Sequence, residues 1–346
     1  MSRNTITVRG VTVGGGAPIA VQSMTTTKTE DTTATVAQIQ RLETAGCEIV
    51  RLAVPNLEAA RSFGAIREQV RLPMVADIHF DYRLALEAVA AGADKIRLNP
   101  GNIGDDDKVR QVVQACKQKG LPIRIGVNGG SLEADVLAEF GHTPEAMVES
   151  ALRHVAILNR FDFDNICLSV KSSSVPDTVK AYRLLHERTS YPLHLGVTEA
   201  GTSYMGTVKS AIGIGSLLLD GIGDTIRVSL TDDPVEEVRA AKAILQSVGL
   251  RRFGPNIISC PTCGRCNVDL IPLAQEVERR LAGSTREITV AVMGCAVNGP
   301  GEARAADFGI AGGIGEGLLF ARGETRGKVP MEGLVDALFD LIESTP

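Results

Sequence analysis

The chain has 346 residues, with 36 Lys and Arg against 41 Asp and Glu and a formal net charge of −5. An acidic chain with 4% aromatic residues and no Trp lacks the basic face and the stacking platforms of a nucleic-acid-binding protein. We find no apolar run of about 18 residues and no apolar signal core, so we expect a cytoplasmic protein without membrane segments. The seven cysteines are then expected to be thiols or metal ligands rather than disulfides.

Eight short apolar runs alternate with amphipathic helical stretches along most of the chain. Each run has the length of a strand and is largely apolar, as in parallel strands that are buried on both faces. Several of the intervening helices end at a glycine directly before the next strand, the usual end of a helix in an α/β protein. Eight such units over about 250 residues predict a (β/α)8 TIM barrel. The strands are predicted at residues 19–22, 49–53, 74–77, 95–99, 123–127, 166–170, 194–197 and 225–228, and the clearest helices at 31–45, 82–91, 109–119 and 234–247.

A doubly wound open sheet is the alternative fold. The sequence does not favour it, because neither nucleotide-binding glycine fingerprint follows a predicted strand. The pattern changes after residue 254, where a cysteine cluster precedes a helix, several short apolar runs and a final amphipathic helix. We therefore predict an α/β chain whose residues 1–254 form the barrel and whose residues 255–346 form a smaller α+β module.

Polar and charged residues recur where the predicted barrel strands end. Catalytic groups of a TIM barrel lie at these C-terminal ends, and residues two apart on a strand, such as Arg97 and Asn99, point to the same side. Any one of them could be a solvated loop residue or an ion-pair partner. The recurrence favours instead a ring of positive charge around one pocket, suited to a multiply charged anion that Arg can bind with two hydrogen bonds. The strand-end residues are Arg51, Asp77, His79, Arg97, Asn99, Arg124, Asn128, Lys171, Glu199, Arg227 and Ser229.

Two carboxylates and two glycine-rich segments have alternative interpretations at this end of the barrel. Asp77 and Glu199 could act as acid–base groups or orient substrate hydroxyls, or they could only balance the arginines. Asp77 and His79 could also bind a divalent metal, although the chain has only five His. Residues 213–216 and 221–224 are predicted to offer backbone N–H groups to a phosphate, or else to form ordinary turns.

The second module contains a cysteine pair that is typical of a metal site. Cys260 and Cys263 form a C-x2-C pair, and Cys295 follows on a glycine-rich stretch. A zinc ribbon usually has two such pairs, whereas the second arm here has one Cys, so an iron–sulfur cluster is favoured over zinc. Cys266 extends the pair to the opening of a bacterial ferredoxin run, but the rest of that run is missing. The remaining cysteines, at positions 47, 116 and 167, are expected to be buried core thiols.

The whole chain resembles the bacterial 4-hydroxy-3-methylbut-2-enyl diphosphate synthase family of the non-mevalonate isoprenoid pathway, in its two-domain form without the plant-type insertion. Several independent strings in the same order carry this resemblance. They are PIAVQSMT at residues 18–25, DIHF at 77–80, RLNPGN at 97–102, RIGVN at 124–128, CPTCGR at 260–265 and NGPGE at 298–302.

The resemblance implies a reaction and a cofactor. The substrate would be 2-C-methyl-D-erythritol 2,4-cyclodiphosphate, opened reductively by two electrons with loss of the C3 oxygen as water. A 4Fe–4S cluster would be held by Cys260, Cys263, Cys295 and Glu302, and a carboxylate is a harder and more easily displaced iron ligand than a thiolate. Flavodoxin or ferredoxin would supply the electrons. The resemblance also implies a homodimer in which the cluster domain of one subunit closes the barrel of the other.

The resemblance also implies roles for the strand-end residues. Asp77 would contact the substrate, Glu199 would donate a proton, and the other nine residues would hold the cyclic diphosphate. Cys266 is not a ligand position of the family, and we interpret it as a bystander beside the cluster. Two rival functions are a metal-dependent barrel hydrolase or aldolase with a structural zinc ribbon, and an electron-transfer protein whose barrel is only a scaffold.

Overall fold

The computed structural model describes residues 2–295, 301 and 303–345. Glu302, the predicted fourth iron ligand, lies outside the described residues, as do residues 298–300 of the last family string. The chain divides into two compact units, Met1–Arg251 and Arg252–Pro346. No helix among the described residues combines the length and the apolar character needed to cross a bilayer.

The first unit is the predicted (β/α)8 barrel. Its eight strands are parallel and follow the order β8-β7-β6-β5-β4-β3-β10-β9, and the bridge between Leu168 and Leu193 joins the two ends of that order. The fold prediction is therefore confirmed. The strands are β3 (Ala20–Met24), β4 (Ile49–Ala53), β5 (Met74–Asp77), β6 (Lys95–Arg97), β7 (Ile123–Asn128), β8 (Ile166–Lys171), β9 (His194–Leu195) and β10 (Thr225–Ile226).

An antiparallel hairpin that the sequence analysis did not predict precedes the barrel. Its strands are β1 (Thr5–Val8) and β2 (Val11–Gly14). Alternate side chains of the hairpin pack into one buried cluster with residues from the N-terminal parts of the barrel strands. The hairpin thus closes the end of the barrel opposite to the strand C-termini, and we call this end the floor. The cluster consists of Ile6, Val8, Val13, Ala20, Ile49, Val75 and Cys167.

The barrel helices begin at the residues that their sequence indicates. Asp or Ser side chains accept hydrogen bonds from backbone N–H groups of the first turn in several of them, for example Asp105 from Lys108 and Ser174 from Asp177. A left-handed glycine ends two of them, at Gly46 and Gly120. The helices are α1 (Thr32–Ala45), α2 (Leu57–Arg67), α3 (Tyr82–Ala90), α4 (Asp106–Lys119), α5 (Ala134–Phe140), α6 (Pro144–Asn159), α7 (Val175–Arg188), α8 (Ser203–Leu219) and α9 (Pro234–Ser247).

The prediction of a glycine-rich phosphate site was wrong. Residues 213–216 lie inside α8, where a Cβ on Gly213 would stand 2.7 Å from a side-chain atom of Val197, so the glycine allows close packing of the helix on the barrel. Residues 221–224 precede β10 and therefore lie at the floor. There the carboxylate of Asp224 accepts hydrogen bonds from the backbone N–H of Leu193 and from the Ser2 hydroxyl. Both segments stabilise the fold and neither offers its N–H groups at the strand C-termini.

Among its described residues, the second unit has a mixed five-stranded sheet and two α-helices of 12 and 11 residues. Its strand order is β11-β12-β13-β14-β15, parallel in the first two pairings and antiparallel in the last two. Both helices contribute apolar residues, such as Val277 and Leu338, to one buried cluster with the sheet. The elements are β11 (Asn256–Ser259), α10 (Leu270–Leu281), β12 (Thr289–Met293), β13 (Phe308–Gly312), β14 (Glu316–Ala321), β15 (Glu324–Pro330) and α11 (Leu334–Ser344).

Candidate active site at the barrel mouth

A cavity of about 120 Å³ opens at the C-terminal ends of the barrel strands. We call this end the mouth. Nine of the eleven predicted strand-end residues line the cavity; Asn99 and Glu199 do not. Residues two apart on one strand face the same side, and paired residues of neighbouring parallel strands lie side by side. The register therefore directs these residues into the same barrel interior. The nine are Arg51, Asp77, His79, Arg97, Arg124, Asn128, Lys171, Arg227 and Ser229.

Asp77 is the acidic centre of this cavity. Its carboxylate lies 3.2 Å from Arg97 Nη1, 3.5 Å from His79 Nε2 and 3.7 Å from Arg51 Nε. Burial by itself would raise the pKa of Asp77, but Arg51, the hydrogen bond with His79 and Arg97 outweigh it and hold that pKa well below its usual range. A carboxylate that stays ionised can orient cations and substrate hydroxyls, and it is a poor proton donor.

Arg124 and Lys171 are buried cations without comparable compensation. Arg124 is 1% exposed, and its Nε and Nη2 have no hydrogen-bond partner among the described residues. Burial and the neighbouring charges of Arg51 and Arg97 lower its pKa, yet a guanidinium keeps its proton at neutral pH. Burial, with the charges of Arg124 and Arg227, likewise lowers the pKa of Lys171 well below its ordinary value. Buried charge of one sign destabilises the protein unless an anion joins it.

Two glycines on the inner face make room for these cations. A Cβ on Gly126 of β7 would lie 2.6 Å from Arg97 Nε, and a Cβ on Gly196, just after β9, would lie 2.5 Å from Lys171 Nζ. Any side chain at either position would displace the charged group. The sequence shows this signal as a glycine at an inward-facing position of a predicted strand, which usually marks a close approach.

Arg227 differs from Arg124 because a buried acid on α9 balances its positive charge. Glu237, 4% exposed, lies 3.2 Å from Arg227 Nη2 and also accepts hydrogen bonds from the Ser23 hydroxyl and the Leu230 backbone N–H. Sequence reasoning missed Glu237 because a glutamate in the first turn of a helix is normally exposed. It also missed Ser169 and Thr198, which line the cavity.

Asn99 and Glu199 lie beside the cavity rather than in its lining. Asn99 Oδ1 accepts a hydrogen bond of 2.9 Å from the Gly126 backbone N–H, and so fastens the end of β6 to β7. Glu199 is exposed and lines a neighbouring cavity of about 470 Å³, which shares Asn128 and Thr198 with the first. Its backbone is left-handed, with φ +51°. A glutamate in this conformation is strained, and such strain is concentrated at functional sites.

The cysteines of the second unit divide into potential ligands and one engaged thiol. Cys260 Sγ accepts a hydrogen bond of 3.2 Å from the backbone N–H of Gly294, the residue before Cys295. Cys263 is exposed, and the backbone N–H of Arg265 lowers its pKa. No three His, Cys, Asp or Glu side chains converge on a single ion within residues 2–295, 301 and 303–345.

Cys266 lies beside these residues in a different environment. Its Sγ donates a hydrogen bond of 3.1 Å to the Val268 carbonyl, and a Cβ on Gly294 would stand 2.5 Å from it. This hydrogen bond occupies the Cys266 thiol with a backbone partner, whereas an iron ligand has to be a thiolate. The other three cysteines, at positions 47, 116 and 167, are buried in the barrel as predicted.

Comparison with known proteins places both units in one family. The GcpE TIM-barrel domain matches residues 3–242, and the GcpE protein C-terminal domain matches residues 256–344. A protein of Geobacter sulfurreducens named 4-hydroxy-3-methylbut-2-en-1-yl diphosphate synthase (flavodoxin) is 59% identical over 98% of this chain and 96% of its own length. A protein of the same name from Ruminiclostridium cellulolyticum is 58% identical over 96% of this chain and 95% of its own.

Solved structures of low identity share the barrel. The 3-dehydroquinate dehydratase of Geobacillus kaustophilus matches with a TM-score of 0.53 at 15% identity, over 72% of this chain and 98% of its own. The N-acetylneuraminic acid synthetase of Leptospira borgpetersenii matches with a TM-score of 0.50 at 14% identity, over 82% and 98%. At such identity the likeness concerns the fold alone.

Proposed function

The chain belongs to the GcpE family of 4-hydroxy-3-methylbut-2-en-1-yl diphosphate synthases, and from that premise we propose how its residues carry out the reaction. It is an iron–sulfur oxidoreductase that reductively opens 2-C-methyl-D-erythritol 2,4-cyclodiphosphate to 4-hydroxy-3-methylbut-2-enyl diphosphate. The reaction consumes two electrons and releases the C3 oxygen as water. The barrel mouth binds the substrate, and the second unit holds the redox group.

The cations of the mouth bind the cyclic diphosphate. The observation that carries this assignment is the burial of Arg124, two of whose guanidinium nitrogens have no partner among the described residues, beside Lys171 in the same cavity. Phosphate oxygens are the acceptors that such nitrogens lack, and a guanidinium can bind two of them at once. Asp77 fixes Arg51, Arg97 and His79 around the substrate, and Asn128 and Ser229 add uncharged hydrogen-bonding groups. Asn99 acts indirectly, because its Oδ1 accepts a hydrogen bond from the Gly126 backbone N–H and so holds the end of β6 against β7.

Glu199 is the proton donor in this proposal. It stands where the two cavities meet, outside the cationic lining, and its strained backbone fixes the direction of its side chain. Asp77 is a poor proton donor because three neighbours keep it ionised, which leaves Glu199 for this role. The two carboxylates therefore divide the work into orientation and proton transfer.

A 4Fe–4S cluster is held by Cys260, Cys263, Cys295 and Glu302. Three cysteines, one of which already receives a backbone N–H on its sulfur, fit the donor set of such a cluster. When bound, the cluster supplies electrons one at a time together with a Lewis-acidic iron. Cys266 keeps its hydrogen bond to the Val268 carbonyl and stays outside the ligand set.

The partners follow from the same proposal. Flavodoxin, named in the relatives, is the electron donor, and ferredoxin is the alternative. The enzyme works as a homodimer in which the cluster domain of one subunit closes the barrel of the other. Reduced thiols and a cluster fit a reducing compartment, and we therefore assign the protein to the cytoplasm.

Anaerobic turnover tests the function directly. The purified protein with its cluster is mixed with the cyclic diphosphate and a chemical reductant, and iron, sulfide and product are measured together. We expect product in proportion to the iron content. An iron-loaded protein that binds the substrate without reducing it, or a colourless protein with stoichiometric zinc, would contradict the proposal.

Paired cysteine variants test the ligand set. Cys260→Ser is expected to lose iron and visible absorption, whereas the matched Cys266→Ser is expected to keep both, because only the first is a ligand. Loss of the cluster in Cys266→Ser would refute the assignment. Glu302→Ala is expected to alter the cluster spectrum and abolish turnover, and an unchanged spectrum with unchanged turnover would remove Glu302 from the set.

Mixed dimers test the arrangement of subunits. A Cys260→Ser subunit lacks a cluster ligand and a Glu199→Ala subunit lacks the proton donor, so each homodimer is expected to be inactive. If one subunit's cluster serves the other's barrel, the mixed dimer regains one complete site. Absence of any activity in the mixture would show that both residues must lie in one chain.

A further inference from the structure

A buried histidine on α6 joins two loops of the barrel mouth. His154 is 2% exposed, and its Nδ1 accepts a hydrogen bond of 3.1 Å from the backbone N–H of Gly101. Its Nε2 lies 2.5 Å from Glu133 Oε1, a close polar contact whose angle is poor for a hydrogen bond. Gly101 belongs to the short 3-10 turn that follows β6 and Asn99. Glu133 ends the loop that follows Asn128 and β7.

The contact with Gly101 determines the protonation state of the ring. A backbone N–H can only donate, so Nδ1 must be the unprotonated acceptor, and the proton of the neutral ring lies on Nε2, which faces Glu133. A second proton would have to enter at Nδ1, where it would oppose the N–H of Gly101. Protonation therefore removes the link to the loop after β6 and keeps the link to Glu133.

Gly101 and Glu133, the two residues that the histidine links, are both suited to its position. A Cβ on Gly101 would stand 2.8 Å from His154 Cε1, so the ring leaves no space for a side chain at that position. Glu133 occupies the N-cap position of α5, yet its side chain makes no capping hydrogen bond there. Its carboxylate contacts His154 instead.

The linked loops carry residues of the proposed substrate site. Asn99 immediately precedes the 3-10 turn and fastens β6 to Gly126, while Asn128 lines both cavities at the mouth. We propose that His154 is a positioning residue for the reaction, whose neutral ring holds the loop after β6 against the loop after β7 and so maintains the mouth in its substrate-binding form. This inference rests on the proposed function, because these loops matter for catalysis only if the mouth binds the cyclic diphosphate.

The surroundings of His154 favour the neutral ring. Burial lowers the pKa of His154, and the charge of Glu133 only partly opposes this effect. A histidine whose folded-state pKa is depressed stabilises the fold above its unfolded pKa of about 6.5, and this contribution is lost as the pH falls through the folded-state value. The link is therefore complete at neutral pH and weakens in acid.

Other charged groups on the elements around α6 are engaged elsewhere. Arg124 of β7 and Lys171 of β8 line the cavity in the barrel interior. Arg183 of α7 pairs with Asp220, Asp177 of α7 lines the cavity of about 470 Å³, and seven further charged groups of α5, α6 and α7 pair with one another. These pairs are Arg153 with Asp135, Glu139 and Glu149, Lys180 with Glu145, and Arg188 with Glu149.

Three substitutions separate the two halves of the link. His154→Asn can place its carbonyl oxygen near the position of Nδ1, keeping an acceptor for Gly101 while removing the titrating ring. His154→Gln can keep a donor towards Glu133 but loses the acceptor, and His154→Leu loses both. His186→Gln, on α7 away from both loops, is the matched control.

The expected results are a KM effect and a change in its pH dependence. With the cluster-loaded enzyme at pH 7.5, we expect KM for the cyclic diphosphate to rise about tenfold in His154→Leu, the equivalent of about 1.4 kcal/mol, with a smaller change in kcat. We expect nearly unchanged KM in His154→Asn and in the control. Between pH 7.5 and pH 5.5 the wild-type KM should rise more steeply than that of His154→Asn, since only the wild type can lose the link by protonation.

Hydrogen exchange keeps this test separate from the proposed function. The amide of Gly101 is expected to exchange faster in His154→Gln than in His154→Asn, whether or not the protein turns over this substrate. Equal exchange in both variants, or wild-type KM in a folded His154→Leu, would overturn the positioning role. A wild-type enzyme that shows no turnover while the exchange difference remains would contradict the proposed function alone.

Discussion

The floor and the mouth of the barrel are built in opposite ways. At the floor, apolar side chains of the β1–β2 hairpin and of the barrel strands, such as Val13, Ile49 and Val75, are buried against one another. At the mouth, the same strands end in cations, and the described residues leave two nitrogens of the buried Arg124 unpartnered. Apolar burial stabilises the folded chain, whereas buried charge without a counter-charge destabilises it. The floor therefore supports the fold, and the charge of the mouth suits an anion that comes from outside.

Lys95 marks the transition between the two ends. It lies on β6 two residues before Arg97, on the same face of the strand, and it is fully buried. Its Nζ has no hydrogen-bond partner among the described residues. Burial lowers the pKa of Lys95 to about 8, with Cys167 opposing this change and Arg124 contributing to it. A methionine would fit such a position better for stability alone, which suggests that the charge serves the mouth above it.

Lys171→Met is expected to have the largest effect on function. Removing a buried charge that binds the diphosphate should weaken substrate binding by about 2–5 kcal/mol, or roughly 30-fold to several thousand-fold. Anaerobic calorimetric titration with the cyclic diphosphate measures it. Lys180→Met, which removes an exposed lysine of α7, is the control and should bind normally. Equal affinity in the two variants would mean that the mouth does not bind through Lys171.

Ile49→Ala is the corresponding change at the floor. Ile49 is fully buried against the hairpin, and truncation of such a residue lowers the free energy of unfolding by about 2–5 kcal/mol. Because the cavity at the mouth is untouched, KM measured on the folded variant should stay within about twofold of wild type. A variant of normal stability with a raised KM would abolish the distinction between the two ends.

Lys95→Met is expected to have a smaller effect, which raises the stability of the fold and weakens substrate binding. The free energy of unfolding should rise by about 1–4 kcal/mol, and affinity for the cyclic diphosphate should fall. The gain in stability should shrink above about pH 8, where the folded wild type releases the Lys95 proton while the unfolded chain keeps it to about pH 10.4. Denaturant titrations of both proteins at pH 7 and pH 9 measure this difference, and a less stable variant at pH 7 would contradict it.

The sequence predicted the residues that line the mouth better than the residues that hold them in place. The strand ends could be predicted because a charged residue at the end of an apolar run is expected at the C-terminal edge of a barrel, as with Arg97 and Lys171. Glu237 was not predictable in the same way, since its burial depends on the packing of α9 against the mouth. The hairpin and the helical position of Gly213 were also missed, because short strands and glycines inside helices carry weak local signals.

The individual residues also differ in how far their positions could be predicted from sequence. The alternation of strand residues places Asp77, Arg97 and Arg124 in one cavity, and sequence periodicity contains that information. The separation of Asn99 and Glu199 from the cavity lining depends on how each strand leads into its loop. His154 had no signal at all, since a histidine on an apolar helix face usually belongs to the core, and only the contacts with Gly101 and Glu133 distinguish it.

The most direct test of the central claim measures the thermal stability of the wild type and of Arg124→Met, each with and without saturating cyclic diphosphate. If the buried cations of the mouth bind this substrate, Arg124→Met unfolds at a higher temperature than the wild type without ligand, because the variant lacks a buried charge that has two nitrogens without a partner in the part of the chain that the structure describes. With ligand the order reverses, because only the wild type gains the full binding energy. A variant that is less stable without ligand, or equal stabilisation of both proteins by the substrate, would contradict the account.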